Sequence, residues 1–222
     1  MSERLPARPD TSRFPAPCDR WCFALPAGAT VGRIYAAGGD YPMQWNEFRA
    51  WGPTCARFDH QPSPRRVHPT RRVSYVAPVV LDRRGDIYPV LKTCLAECFT
   101  NRRIVETKRD DPYYCLFRIA RPLKLLDLSD TDWVSWAGAN TAIASGPHGA
   151  ARTWSRAIYR TYTDIDGMMY ASSNTAAGRA IVLWERAEDA VPTYPDFNEP
   201  LSHIGLKPAV ETFAFELGLD LD

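Results

Sequence analysis

Short apolar runs, separated by proline, glycine and charged turns, dominate the chain. Their lengths and alternation predict β-strands over residues 30–36, 72–80, 114–120, 124–128, 168–171, 180–185 and 211–217. Apolar side chains recur every three or four residues over 88–99, and 131–144 and 151–162 also have helical spacing. Residues 40–72 are rich in proline, arginine and aromatic side chains, and an irregular stretch of that length inside a domain is usually functional.

The order of these elements predicts one α+β domain with a mixed or antiparallel sheet, because the regular alternation of a parallel βαβ sheet is missing. No internal repeat and no break in composition marks a second domain. Residues 1–28 are proline-rich and lack periodicity. We therefore expect an extended N-terminal arm over 1–28, held by Phe14, Trp21 and Phe23, ahead of the main domain over 29–222.

Composition and charge exclude several classes of protein. The 222 residues are 45% hydrophobic and 24% charged, which is typical of a globular chain. Basic and acidic residues number 27 and 26, and the net charge of +1 disfavours a dedicated nucleic-acid binder. Only four basic residues are lysine; the arginine bias fits an anionic ligand, but a GC-rich genome explains it more simply.

The N-terminus and the cysteines indicate a cytoplasmic protein without a metal site. The chain has no apolar leader and no apolar run near the ~20 residues of a membrane span. Its six cysteines form no C-x-x-C pair and stand at no zinc-finger spacing from histidine. Cys94 and Cys98 are four residues apart in a predicted helix, too far for an unstrained disulfide. We expect all six to be core thiols in a reducing compartment.

Common catalytic motifs are absent from the sequence. It contains no phosphate-binding loop, no dinucleotide-binding glycine pattern, no H-E-x-x-H and no G-x-S-x-G. A cysteine–histidine pair would need Cys55 and a distant histidine. The arginine pairs at 65–66, 71–72, 83–84 and 102–103 are explained most simply as solvated loops or helix ends.

One constellation of polar residues remains: Arg33, Arg57, Tyr75, Glu97 and Ser172. Each has an ordinary structural explanation, such as an edge arginine, a core tyrosine or a turn-forming serine. Glu97 falls off the apolar stripe of its helix, where it is either solvated or turned toward a ligand. Helical spacing by itself favours solvation.

Six ordered motifs give this constellation a context. They are residues 56–60 (ARFDH), 73–77 (VSYVA), 94–99 (CLAECF), 117–123 (FRIARPL), 166–173 (DGMMYASS) and 178–185 (GRAIVLWE). Together they resemble the RES-domain family, named for an arginine, a glutamate and a serine, over about residues 30–187. The resemblance implies an ADP-ribosyltransferase-like fold and activity on NAD⁺. Family members are bacterial toxins, commonly neutralised by a helix-turn-helix antitoxin of the Xre type.

The resemblance also implies the site residues. It assigns catalysis to Glu97, Arg33 and Ser172, and NAD⁺ binding to Arg33, Arg57, Tyr75 and Ser172. Ile34 follows Arg33 where some relatives have an aromatic residue, so Tyr35 is a further candidate for NAD⁺ binding. The stretch between Tyr75 and Glu97 is longer than in the family, with residues 81–89 as the insertion.

The implied reaction breaks the nicotinamide–ribose bond through an oxocarbenium-like sugar, and Glu97 would stabilise its positive charge. NAD⁺ is then the substrate, and no metal is needed. Water or phosphate as the acceptor gives NAD⁺ degradation. Position 95 is Leu95, where arginine-directed transferases of the related fold often have a second carboxylate. Protein ADP-ribosylation is therefore the alternative, followed by a non-catalytic interaction module. The sequence leaves open whether the protein forms a homodimer.

Overall fold

An eight-stranded mixed sheet forms the centre of the computed structural model, which describes residues 4–6, 8–16 and 19–222. From edge to edge the sheet contains β1 (Cys22–Leu25), β10 (Leu123–Asp127), β11 (Gly167–Ala171), β12 (Arg179–Trp184), β5 (Val73–Pro78), β2 (Thr30–Ala36), β9 (Pro112–Arg118) and β13 (Phe197–Pro200). Strands β10 and β11 are parallel, and the other neighbours are antiparallel. The α+β class with a mixed sheet is confirmed.

Shorter elements surround this sheet. Three small strand pairs are β3 (Trp51–Gly52) with β4 (Arg66–Val67), β6 (Val80–Leu81) with β7 (Ile87–Tyr88), and β8 (Ile104–Val105) with β14 (Asp220–Leu221). The helices are α1 (Val90–Phe99), α2 (Trp133–Trp136), α3 (Ala142–Ser145), α4 (His148–Thr161) and α5 (Lys207–Leu217). Short 3₁₀ helices cover Thr11–Arg13, Asp19–Trp21 and Glu185–Ala190.

Strands β2 and β5 separate soon after they meet. They pair only at Val31 with Pro78 and at Gly32 with Ala77, whereas β2 pairs with β9 from Thr30 to Ala36. The two central strands therefore part directly before Arg33. This separation divides the sheet into two halves that share one apolar core.

Apolar side chains fill both faces of the sheet. One face packs against α4 around Trp154, Ile158 and Trp184. The other face is a core between the two halves of the sheet, with Met169, Ile181 and Phe117 among its members. A third cluster lies between β2, β9, α1 and α5.

Helix α1 lies directly on β2 because position 32 has no side chain. A Cβ atom at Gly32 would stand 2.7 Å from Cγ1 of Val90 and 2.9 Å from Cδ2 of Leu116. The same helix buries Leu91, Cys94, Leu95 and Phe99 against the sheet and α5. This close approach sets the distance between α1, which carries Glu97, and the sheet.

The N-terminal region differs from the expected arm. Residues 22–25 form β1, an edge strand paired with β10, so they belong to the sheet. Phe14 packs edge-on against Trp133, and Trp21 is buried, as predicted, whereas Phe23 is exposed. Pairing with β10 was not visible in the sequence, because β1 is short and stands among prolines.

Most of the other predicted elements are confirmed, and two are wrong. Residues 211–217 belong to helix α5, whose Val210 and Ala214 are buried in the third cluster. The helix predicted over 131–144 is two short helices, because Gly138, at φ +75°, interrupts it. The insertion over 81–89 contributes to the β6–β7 hairpin, and 40–72 contains β3 and β4.

The cysteines do not all lie in the core. Cys94 and Cys115 are buried, but Cys55 and Cys98 are exposed, which makes the prediction wrong for these two. Cys22 is half-buried, and Cys18 lies outside the described residues. Cys94 and Cys98 form no disulfide with each other.

Candidate active site

The carboxylate of Glu97 and the hydroxyl of Ser172 meet at a short hydrogen bond. Ser172 follows β11, and its Oγ donates to Oε1 of Glu97 in the last turn of α1 at 2.6 Å. The backbone N–H of Asn174 donates to the same Ser172 Oγ at 3.2 Å, and Nδ2 of Asn174 lies 3.4 Å from Glu97 Oε1. The turn after β11 is thereby attached to α1.

Glu97 stands off the core face of its helix, as its spacing predicted. It is half-buried, whereas Leu95, Ala96 and Phe99 are buried. Both hydrogen bonds go to Oε1, so Oε2 takes no part in them. The turn therefore fixes Oε1, and the Tyr170 phenol also hydrogen-bonds this carboxylate.

Tyr170 and Arg57 lie beside this carboxylate. Burial raises the pKa of the Tyr170 phenol well above its usual value, and the charge of Glu97 adds to that effect. Burial lowers the pKa of Arg57. The nearby acidic groups of Tyr170, Glu97 and Tyr75 offset part of this decrease. Arg57 also donates to the backbone carbonyl of Gly146. An arginine without a salt bridge thus stands near the Glu97 carboxylate in the described part of the chain.

A buried aspartate binds the hydroxyl of Tyr75. This hydroxyl donates to Oδ1 of Asp59 at 3.0 Å, and Arg49 donates to the same oxygen at 2.6 Å. The backbone N–H and the hydroxyl of Thr54 both donate to Oδ2 of Asp59. Burial, followed by the Asp59 charge, raises the pKa of Tyr75 well above its usual value. Asp59 thus joins the segment before Arg57 to strand β5.

Arg33 occupies a different position. Its neighbours Val31 and Tyr35 belong to the core between the two halves of the sheet, so Arg33 leaves β2 on the face opposite to α1. Nη1 donates to the carbonyls of Trp45 and Glu47 and to Ser74 Oγ, and Nε is buried with no hydrogen-bond partner. Burial also lowers the pKa of Arg33.

Tyr35 is separate from the Glu97 carboxylate as well. It is buried, and its hydroxyl donates to Oδ1 of Asn198 on β13 at 2.9 Å. The structure therefore brings Arg57, Tyr75, Glu97 and Ser172 together with Tyr170, a group called the Glu97 cluster below. Tyr35 is bound to β13 instead, whereas Arg33 lies in the gap between β2 and β5, where its charge offsets part of the burial effect on the pKa of Cys94 and Cys98 of α1.

Three residues of this region were missed in the sequence. Tyr170 precedes Ser172 by two positions on one strand face, a spacing that could have pointed to it. Asn174 and Asp59 carry no comparable signal, because each reaches its partner through a loop. Glu185, the carboxylate to consider next if Glu97 were only solvated, pairs with His60 and Tyr159 and follows β12 at the end opposite to Ser172.

In residues 4–6, 8–16 and 19–222, no three metal-ligating side chains come together. None of the helices in the described part of the chain has the length and apolar character that a membrane crossing needs.

Comparison with known proteins gives a match in fold. No family model and no curated protein matches the chain. A chain in the crystal structure of the M. tuberculosis MbcT–MbcA toxin–antitoxin complex aligns with a TM-score of 0.52 and 13% identity. The alignment covers 94% of this chain and 96% of that one. The two chains share a fold.

The match extends over nearly the full length of both chains, so the whole α/β domain with its large mixed sheet is the shared unit. At 13% identity the likeness concerns the fold alone. Membership of the RES-domain family and the ADP-ribosyltransferase-like description remain predictions from the sequence.

Proposed function

We propose that this protein is the toxin of a toxin–antitoxin pair and that it degrades NAD⁺ by cleaving the bond between nicotinamide and ribose. Three independent observations support this function. The sequence resembles RES-domain toxins, the fold matches a chain of a toxin–antitoxin complex, and the Glu97 cluster contains the residue types that the reaction needs.

The observation that carries the proposal is the Ser172–Glu97 hydrogen bond of 2.6 Å. It joins the serine and the glutamate of the family resemblance, which stand 75 positions apart in sequence. A freely solvated helix glutamate, the simpler explanation from sequence, does not describe Glu97, because a serine and an asparagine of one turn bind it.

Glu97 acts on the charge that develops in the transition state. Departure of neutral nicotinamide needs no general acid and leaves an oxocarbenium-like ribose. A carboxylate held in advance by Ser172 stabilises that charge without reorganising. Ser172 fixes Oε1 and the Tyr170 phenol hydrogen-bonds the same carboxylate, so this group meets the ribose hydroxyls or the charged carbon in one fixed orientation.

The other members of the cluster bind the substrate. Arg57 offers a planar set of donors to the pyrophosphate. Tyr75, whose hydroxyl is fixed by Asp59, offers its ring to nicotinamide. We assign Arg33 to holding the 45–47 segment, because its Nη1 is already bound there, and we leave Tyr35 out of the ligand contacts because Asn198 binds its hydroxyl.

Water or phosphate is the acceptor that we favour over a protein side chain. Leu95 of α1 occupies the position of that second carboxylate, and its side chain is fully buried. Protein ADP-ribosylation is the second candidate. A helix-turn-helix antitoxin of the Xre type is the proposed partner, and the cytoplasm, which holds NAD⁺, is the proposed compartment.

Replacing Glu97 with Gln tests the proposal with almost no change in volume. We expect expression of the wild-type chain to lower cellular NAD⁺ and arrest growth. In the purified Glu97→Gln protein, NAD⁺ turnover should fall by about 10²–10³, as it does when one preorganised group is lost. NAD⁺ affinity should change much less, because the charge that Glu97 offsets exists only in the transition state.

Glu211→Gln, an exposed position on α5, is the matched control and should retain full turnover. Mass spectrometry of the products distinguishes ADP-ribose, its phosphorylated form and a modified protein. Soluble wild-type protein that leaves NAD⁺ intact, in cells and in vitro, would show that the chain is not an NAD⁺-degrading enzyme.

A further inference from the structure

Three arginines converge on a cavity that the proposed reaction does not use. The cavity has a volume of about 370 Å³ and lies between the 53–65 region and the start of helix α4. Arg65 reaches it from the loop, and Arg152 and Arg156 reach it from the helix. Thr54, Ser63 and Gly149 complete the polar part of its lining, which contains no carboxylate.

The positive charge in this cavity is not neutralised within the described part of the chain. Arg65 donates to the Pro53 carbonyl, Arg152 to the Ala56 carbonyl and Arg156 to the Thr153 hydroxyl, and none of these three arginines forms a salt bridge. Burial lowers the pKa of Arg156, and the neighbouring Arg152 and Arg160 charges lower it further. The cluster is therefore electrostatically unfavourable when empty.

The charges and the N-terminus of helix α4, which carries two of these arginines, also lower its stability. Like charges four residues apart, as at Arg152 and Arg156, destabilise a helix. Pro147 at the N-cap makes no side-chain hydrogen bond, and the first turn contains no acidic residue. The free N–H groups and the positive end of the helix dipole are thus left near Gly149, at the edge of the cavity.

We propose that this cavity is a binding site for a phosphate group. Three guanidinium groups from two elements, the Ser63 hydroxyl and an uncapped helix start supply the donors that phosphate accepts. An anion there removes the repulsion between Arg152 and Arg156. Free inorganic phosphate and the phosphomonoester of a nucleotide share this chemistry.

The cavity adjoins the Glu97 cluster without belonging to it. Arg152 binds the carbonyl of Ala56, and the next residue is Arg57 of the cluster. The side chain of Arg57 reaches Gly146, directly before helix α4 begins at His148. Phosphate in the cavity would stabilise the backbone that holds Arg57. Its binding can be measured without any turnover of NAD⁺, so the site stands or falls separately from the proposed reaction.

The test is calorimetric titration of the full chain with inorganic phosphate at constant ionic strength. Arg152→Gln, Arg156→Gln and Arg65→Gln should each weaken binding by about tenfold or more, because hydrogen bonds between charged groups contribute 1.5–3 kcal/mol. Arg160→Gln is the matched control, since this arginine is exposed on the same helix and does not line the cavity. Because the Arg160 charge acts on Arg156, this variant should weaken phosphate binding only slightly, by much less than tenfold.

Titrations with adenosine 2′-monophosphate and with adenosine distinguish the two sources of phosphate. Tighter binding of the nucleotide than of inorganic phosphate, lost in the same variants, identifies a nucleotide phosphomonoester. Equal binding of both, with none of adenosine, identifies free phosphate. Thermal melts establish that the variants are folded, and Arg65→Gln, on an exposed loop, keeps the test valid if a helix variant unfolds. No phosphate binding, or equal loss in Arg160→Gln, would overturn the proposal.

Discussion

Single side chains in this protein take their roles from what holds them. Glu97 would be an ordinary surface glutamate without Ser172 and Asn174, and Tyr75 would be an ordinary strand tyrosine without Asp59. The holding groups come from segments that are distant in the chain. At this scale, substitutions should separate loss of a ligand contact from loss of support.

Arg57→Ala tests the ligand contact. It has no salt bridge and one backbone acceptor, the Gly146 carbonyl, so unfolding free energy should change by no more than about 1 kcal/mol. NAD⁺ affinity should fall by about tenfold or more if the guanidinium binds the pyrophosphate. Equilibrium binding and urea denaturation measure the two effects. Arg160→Ala is the control, and a result in which Arg57→Ala mainly unfolds the protein would make this arginine structural.

Asp59→Asn tests the support. The fully buried carboxylate accepts from Arg49, Tyr75 and both donors of Thr54, and an amide cannot accept at both positions. Unfolding free energy should fall by about 3 kcal/mol, in the range for one broken partner of a buried ion pair. Asp40→Asn, at an exposed position, should leave the urea midpoint unchanged. Equal midpoints for the two variants would contradict this assignment.

At the scale of elements, helix α1 is the part that positions the site. It carries Glu97, lies on β2 at Gly32 and packs against α5, whose strand prediction failed. The 211–217 segment has apolar residues that fit either a short strand or a helix. Packing against α1 favours the helix for this segment, because Val210 and Ala214 then lie on one helical face and are both buried.

Gly32→Ala should displace α1. The added methyl would come within 3.0 Å of side chains of Val90 and Leu116, and the carbonyl oxygen of Cys115 is at 3.2 Å. We expect a loss of about 1–3 kcal/mol in unfolding free energy, as in other overpacked cores, together with lower NAD⁺ turnover. Gly149→Ala, with its nearest atom at 3.9 Å, is the control and should not destabilise the protein. An unchanged unfolding free energy in Gly32→Ala would contradict this prediction and show that α1 can move without loss of stability.

At the scale of the whole molecule, a buried pair of ionisable groups, His60 and Glu185, makes stability depend on pH. His60 is fully buried between Tyr159 and Trp184, with Glu185 at 3.3 Å. Burial lowers the pKa of His60, and Glu185 offsets part of that effect. Burial opposes the charge of Glu185, but hydrogen bonds from His60 and Tyr159 prevail and lower its pKa.

Both shifts predict loss of stability in acid. Each group takes up its proton at higher pH in the unfolded chain than in the folded one, so unfolding free energy should fall as pH drops below about 6.5 for His60 and below about 4.5 for Glu185. His60→Gln keeps a donor but does not titrate, and it should remove the part of the decline that begins near 6.5. Urea denaturation from pH 8 to pH 4 measures this, and identical profiles for both proteins would contradict it.

The sequence by itself determined the elements whose pattern is local. The strands at 30–36 and 180–185, the helix that carries Glu97 and the α+β class follow from side-chain periodicity, which depends only on neighbours along the chain. The position of Glu97 off the core face follows from the same periodicity. The family resemblance added which polar residues belong together.

Only the tertiary structure decided which distant groups meet. The pairing of residues 22–25 with β10, the turn that binds Glu97 and the support of Tyr75 by Asp59 are contacts between remote segments, which periodicity does not encode. Alternation along β2 fixes the face from which Arg33 and Tyr35 leave the strand, but only the structure shows that Arg33 binds Ser74 and the carbonyls of Trp45 and Glu47. The arginine cavity likewise exists only because α4 packs beside the 53–65 region.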